Sequence, residues 1–280
     1  MKRALLILPL AAVLAGCSGG SDSGTPTITI KPAKTYQLVD RSPSSGISPG
    51  KPVTVGFTVQ QPSGKALTQF KTGPGPHTGV HVIVVADDLS TIIHRHPPPN
   101  AQGHVSERIT LPKPGDYTVL ADIYPKTGPI PNFQLRYDIH ADGKASPKPL
   151  PAFKAKQTVD GYTVDLHANP KLQVAVPKIL KATVTAPNGK PAPFDVWYGA
   201  LAHAVFFQKG SRAYFHTHVC GPNTPGCTSI VGQPTIKAQS TKPGVLHAGI
   251  LRPGSGTWEL FLQFKSNGKV VTVPYTLHVR

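Results

Sequence analysis

The sequence predicts an all-β protein made of antiparallel β-sandwiches, and three observations carry that expectation. Short runs that alternate apolar and polar, or are rich in β-branched residues, recur along the chain. No segment of a dozen residues keeps a helical apolar period. The 31 prolines and 27 glycines among 280 residues punctuate the chain too often for helices of any length. Short strands between closely spaced turn signals read as a sandwich. The length suits two domains, each long enough to bury a core.

The opening residues stand apart from the fold. Lys2 and Arg3 precede an apolar run from Ala4 to Leu14, and Leu14-Ala15-Gly16-Cys17 supplies the small-residue pattern of a secretion cleavage site. A cysteine directly after such a site resembles the lipobox of bacterial lipoproteins. That resemblance implies that residues 1–16 are a removed signal and that Cys17 carries a lipid holding the chain on the extracytoplasmic face of the membrane. The apolar run falls well short of the ~20 residues a spanning helix needs, and an uncleaved anchor would give the same topology. Residues 17–27 are small and polar, as a flexible tether would be.

Strands are expected next, in TITIK, TYQLVD, PVTVGFTVQ, HVIVVAD, STIIHRH, HVSERITL, DYTVLADIY and QLRYDIH, which places a first domain at 28–141. Residues 142–158 are rich in Pro, Lys and Ala and read as a linker. Residues 159–280 then repeat the first domain in order. Tyr162 answers Tyr36, Pro187-Asn188-Gly189-Lys190 answers Pro62-Ser63-Gly64-Lys65, Pro253-Gly254 answers Pro114-Gly115, and Tyr275 to His278 answers Tyr137 to His140.

The sharpest repeat is a histidine pattern. His81 is followed after twelve residues by His94-x-His96, and the same spacing returns 122 residues later as His203, His216 and His218. Side chains two apart on a strand share a face with Cα atoms about 6.5 to 7 Å apart, and a neighbouring strand lies about 4.8 Å away. Three imidazoles from two strands therefore suit Cu(II) or Zn(II), with His104 and, loosely, His247 as possible fourth ligands of one cluster per domain. The only methionine is Met1, so a thioether-lined copper site is excluded. Asp87 and Asp88 read as turn formers. Asp122 follows the strand VLA and could face the same end of the sandwich, but its counterpart is Gln263, which tells against a ligand. His140, His278, His77 and His167 read as structural or incidental. The competing reading of the whole pattern is duplicated structural histidines that anchor turns or stack. Metal held by imidazole should be released as the pH falls below about 6.

Cys220 and Cys227 flank GPNTPG, and in an exported chain such a pair closes a disulfide worth about 2.5 kcal/mol for an eight-residue loop. Their nearness to His218 leaves thiolate ligation as the alternative. Cleavage after Gly16 takes the 29 basic residues to 27 against 13 acidic, a formal charge of +14. The lysines lack the aromatic interleaving of a strand-binding groove, so nucleic acid is not expected; the charge suits either anionic envelope polymers or lipid headgroups, or simply solubility. No Gly-x-Ser-x-Gly elbow, phosphate-cradling loop or paired carboxylates appear, and only Glu107 lies close in sequence to a histidine cluster; binding, not catalysis, is expected.

VHVIVVADDLSTIIHRHPPP resembles the histidine-rich block of exported bacterial YtkA-like β-sandwich domains, and YGALAHAVFFQKGSRAYFHTH resembles the companion block of actinobacterial two-domain secreted proteins. The resemblance covers most of residues 30–280. It implies two tandem immunoglobulin-like sandwiches with a heavy-metal or copper association at His81, His94, His96, His203, His216 and His218. Val219-Cys220 departs from the proline usual in the second block. Sequestration or delivery of Cu(II) or Zn(II) outside the membrane is therefore the expected function. The alternative is an immunoglobulin-like interaction or adhesion module of the cell envelope.

Overall fold

The computed structural model describes residues 35–72, 79–128, 130–211, 213–222, 224, 227, 240–250 and 253–280. The expected signal, Cys17, the tether, the TITIK strand and His77 lie outside the described residues.

Among the described residues there are fifteen strands and no helix. The first half holds β1 (Gln37–Ser42), β2 (Pro52–Gln60), β3 (Val80–Ala86), β4 (Ile92–Arg95), β5 (His104–Thr110), β6 (Gly115–Ile123) and β7 (Phe133–Ala141). They form two antiparallel sheets, β1-β2-β5 and β4-β3-β6-β7. The second half holds β8 (Lys156–Val159), β9 (Tyr162–Asp165), β10 (Lys178–Thr185), β11 (Ala202–Gln208), β12 (Tyr214–Val219), β13 (Val245–Ile250), β14 (Gly256–Ser266) and β15 (Lys269–Val279). Their sheets are β13-β10-β9-β8 and β12-β11-β14-β15. With β8 set aside as an added edge strand, the two halves have the same order strand for strand. A three-stranded layer faces a four-stranded one, and β4 and β12 each cross to the opposite layer for the next strand, which is immunoglobulin-like topology.

The repeated turns agree in detail. Gly64 donates to the Gln61 carbonyl at 2.8 Å and Gly189 to the Ala186 carbonyl at 2.9 Å. Both glycines have positive φ, +85° and +76°, which a side chain would resist.

Strand alternation builds the cores. Val80, Val82, Val84 and Ala86 of β3 pack with Tyr117, Val119, Ala121 and Ile123 of β6 against Val55, Phe57 and Val59 of the other layer. In the second half Ala202, Ala204 and Phe206 of β11 pack with Leu260, Leu262 and Phe264 of β14 against Leu180, Ala182 and Val184.

Alternation then leaves the intervening positions facing outward, yet they too are buried. Ile83, Val85, Leu89 and Leu120 of the first half meet Val205, Phe207 and Phe261 of the second in a third core. The two four-stranded sheets thus bury both faces. At about 1.5–3 kcal/mol for each buried side chain of this size, the contact is strong enough to hold the halves face to face.

The expected linker is correspondingly not a free tether. Leu150 packs on the third core, Phe153 packs on the second-half core, and the Lys148 N–H donates to Asp88 Oδ2 at 3.2 Å. Two apolar side chains in an otherwise polar stretch suffice to dock it. Strand β8 begins at Lys156, within the range expected to be linker.

Candidate metal centre

The histidines sit on the faces that the two halves bury against each other. On β3, His81 shares the outward face of Ile83 and Val85; on β11, His203 shares that of Val205 and Phe207. Each leading histidine is joined by the His-x-His of the next strand: β4 pairs His94 with Ile83, and β12 pairs His218 with His203 and His216 with Val205.

The sequence left open whether the two histidine clusters are separate or shared; in the structure the six imidazoles meet in one chamber. One group of three that could hold an ion is His81, His94 and His216, drawn from both halves; the other is His203, His216 and His218. Within each group the candidate ligand atoms lie within 4.8 Å of one another, and His216 belongs to both.

The chamber has an approximate two-fold relation. The His81 to His216 centroid distance, 5.3 Å, is matched by 5.1 Å from His203 to His94. Likewise His81 to His218 at 6.2 Å is matched by His203 to His96 at 5.9 Å.

Hydrogen bonds fix how two of the rings present themselves. His203 Nε2 lies 2.9 Å from the Trp197 carbonyl oxygen, which can only accept, so Nε2 carries the proton and Nδ1 offers its lone pair. That Nδ1 is 3.0 Å from His216 Nε2. His94 Nδ1 faces Gln263 Oε1 at 3.1 Å, and its Nε2 is 3.0 Å from His96 Nε2. His216 Nδ1 is buried with no hydrogen-bond partner among the described residues. Two nitrogens each about 2.0–2.1 Å from one ion lie about 2.9 Å apart at a right angle and about 3.3 Å apart at a tetrahedral angle, so the 3.0 Å separations suit shared ligation.

Electrostatics favour the ligating form. Burial, and then repulsion from His203 and His81, holds His94 well below the ordinary histidine range. Burial, then His81 and His94, does the same for His96, and burial, then His218 and His94, for His216. Burial pushes His203 down to about 3 against the raising effect of its bond to Trp197. These imidazoles are neutral at pH 7, as metal ligation requires.

The surroundings reinforce the arrangement. Trp197 and Ala200 exchange backbone hydrogen bonds of 2.8 and 3.1 Å around Tyr198 and Gly199, both at positive φ, which makes a type I′ turn. That turn aims the Trp197 carbonyl at His203 and lays the Tyr198 ring on His96 at 4.0 Å, with His96 stacked on His81 at 4.0 Å. Asp122 belongs to neither ligand group. Its carboxylate lies 4.0 Å from His81 Nδ1 and accepts hydrogen bonds from Tyr124, Asn132, Gln134 and, across the halves, Tyr214. Sequence reasoning missed the site roles of Trp197, Tyr198, Gln263 and Tyr214; only the repeated register of Asp122 and Gln263, opposite His81 and His203, hints at a shared supporting position.

His104 and His247 are not brought to the chamber. After β4 and β12 the chain crosses to the opposite layer, so β5 and β13 belong to the other sheets. His104 Nδ1 lies 3.1 Å from Thr58 Oγ1, and His247 is paired across the ladder with Lys181. Asp88 is a turn former, accepting from the Ser90 N–H at 3.0 Å. His140 pairs with Asp116 and His278 with Thr257 on the outer surface, and His167 follows an exposed bend. Cys220 and Cys227 are bonded to each other, which removes both sulfurs from ligation in this structure.

Residues 157–280 match a family described as a domain of unknown function, DUF8832. No curated protein matches the chain. Among solved structures, the chain is similar to a Salmonella alpha-2-macroglobulin at 13% identity, covering 90% of this chain and 15% of that one, with a TM-score of 0.27. It is similar to invasin, a bacterial integrin-binding protein, at 17% identity over 87% of this chain and 39% of that one, with a TM-score of 0.23. Fibronectin(III)-like modules of Clostridium thermocellum CbhA show 12% identity, 88% and 93% coverage and a TM-score of 0.21. The chain thus spans well under half the length of the first two proteins, and scores this low define no function.

Proposed function

We propose that this chain is an extracytoplasmic metal-binding protein that holds Cu(II) or Zn(II) in one centre shared by its two sandwiches, for sequestration or delivery. The observation that carries the reading is His216: it belongs to both ligand groups, and its Nδ1 is buried with no partner among the described residues. Because the groups share His216, they form one centre and not two independent ones. Imidazole ligation agrees with the heavy-metal or copper association implied by the YtkA-like resemblance.

Other parts of the reading rest on sequence. The lipobox-like Leu14 to Cys17 supports a lipid anchor at the membrane. Binding is favoured over catalysis because the nearby carboxylates are already engaged: Glu107 lies 3.4 Å from Arg95 in an ion pair, Asp88 accepts from the Ser90 N–H in its turn, and Asp122 accepts from Tyr124, Asn132, Gln134 and Tyr214. The excess of 29 basic over 13 acidic residues supports a second reading, an envelope interaction module gripping anionic polymers. Salt-sensitive retention on such polymers without metal uptake would favour that second reading.

The deciding experiment is native mass spectrometry of residues 25–280 titrated with Cu(II) and Zn(II), beside H94A/H96A and H216A/H218A. A shared centre takes up one ion in the unsubstituted protein and loses it in H216A/H218A, which removes a ligand from both groups. Two independent centres would leave one ion in each double variant. No uptake by the unsubstituted protein would remove the metal reading altogether.

A further inference from the structure

We propose that Gln263 is a positioning residue that selects which nitrogen of His94 faces the chamber. The inference deepens the metal reading, on which its affinity arm rests. Gln263 is buried on β14, directly opposite His203 in the ladder, yet its side chain serves the other half of the molecule. Its Oε1 lies 3.1 Å from His94 Nδ1, and its Nε2 donates to Thr272 Oγ1 at 3.0 Å. Thr272 faces Gln263 across the β14–β15 ladder, so the amide is held at one end by its own sheet while the other end reaches His94.

A carbonyl oxygen accepts and cannot donate, so His94 carries its proton on Nδ1 and turns a lone pair on Nε2 inward. That Nε2 is the atom 3.0 Å from His96 Nε2. His203 is set the opposite way, proton on Nε2 and lone pair on Nδ1, by the Trp197 carbonyl. The two orienting groups both lie in the second half, one a backbone oxygen and one an amide. His94 therefore depends on the partner sandwich for its tautomer as well as for its co-ligands. Groups of this kind fix ring orientation, and their loss costs about 10- to 100-fold in metal affinity.

The test has two readouts. The first is long-range proton–nitrogen NMR of the metal-free protein, with the His94 ring assigned by its absence in His94→Gln. The expected result is a protonated Nδ1 and a bare Nε2 for His94, with that preference lost in Gln263→Leu. The second is competition of the loaded protein with a chelator. Gln263→Leu is expected to weaken Cu(II) or Zn(II) by about 10- to 100-fold, and Gln263→Glu, which keeps an acceptor at the same reach, to restore affinity. A proton on Nε2 of His94 in the unsubstituted protein overturns the proposal, as does a Gln263→Leu protein that folds and keeps both tautomer and affinity. If no metal binds at all, the tautomer readout still decides the role of Gln263, so the two failures are distinguishable.

Discussion

Lowering the pH of the metal-free protein should unfold it through the histidine chamber. His94, His96, His203 and His216 have folded-state pKa values depressed by burial and by one another. A histidine depressed in the folded state contributes fully above its unfolded value of about 6.5, and that contribution is lost as the pH falls below it. At pH 5 the unfolded chain holds nearly one proton on each of the four while the folded chain holds none. The gap of about 1.5 pH units at 1.36 kcal/mol per unit costs about 2 kcal/mol per ring, or about 8 kcal/mol together. Glu259 acts in the other direction. Burial raises it to about 7, against the lowering effect of its Thr276 hydrogen bond, so it gains stability as the pH falls and offsets about 3 kcal/mol. The net loss of about 5 kcal/mol is comparable to the whole stability of a typical domain. The assay is urea unfolding from pH 7.5 to 5.0, followed by the fluorescence of Trp197, whose ring lies 5.0 Å from that of His203. His216→Gln should reduce the slope by about 1.4 kcal/mol per pH unit. A stability flat to within about 1 kcal/mol over that range would refute the argument, because the rings would then be protonated or hydrated in the folded state. The result also refines the expectation of metal release below about pH 6: buried neutral rings resist protons, so release should coincide with unfolding.

Two further outcomes test the packing. Phe261→Ala should cost about 3–5 kcal/mol by thermal or urea unfolding and make residues 142–155 more sensitive to protease, since Phe261 fills the third core on which Leu150 is docked; a loss under about 1 kcal/mol would mean that this contact does not hold the halves together. Replacing Cys220 and Cys227 by Ser should cost about 2.5 kcal/mol of unfolding free energy and leave metal stoichiometry unchanged. Loss of bound ion in a folded variant would restore the thiolate reading.

The alternating and β-branched runs were enough to place most strands, and the His-x12-His-x-His repeat was enough to find the six chamber residues. What alternation could not supply was the third core. HVIVVA and AHAVFF carry no solvated position, a pattern that signals burial on both faces of a sheet, but the run alone does not say what covers the second face. Without that face, the sequence could not tell two separate clusters from one shared centre. His104 and His247 misled for a topological reason: each lies on the next strand in sequence, and the chain changes layers to reach it. Gln263 was noticed only as the counterpart of Asp122, because its bond to His94 joins residues 169 positions apart and leaves no local mark.

The approximate two-fold of the chamber makes the single chain behave as a dimer of itself. A lone sandwich bearing the β3–β4 face would present the same apolar stripe and three histidines, and its self-complementary partner would be a second copy of that face. Joining two copies through residues 142–155 removes the concentration dependence of such a pairing. It also frees the copies to diverge: opposite the leading histidine one half carries the carboxylate of Asp122 and the other the amide of Gln263. A symmetric assembly would have to place the same residue at both positions. Here one imidazole sits beside a charge and another on a neutral acceptor, so a single centre can have a polar sense across an otherwise mirrored set of rings.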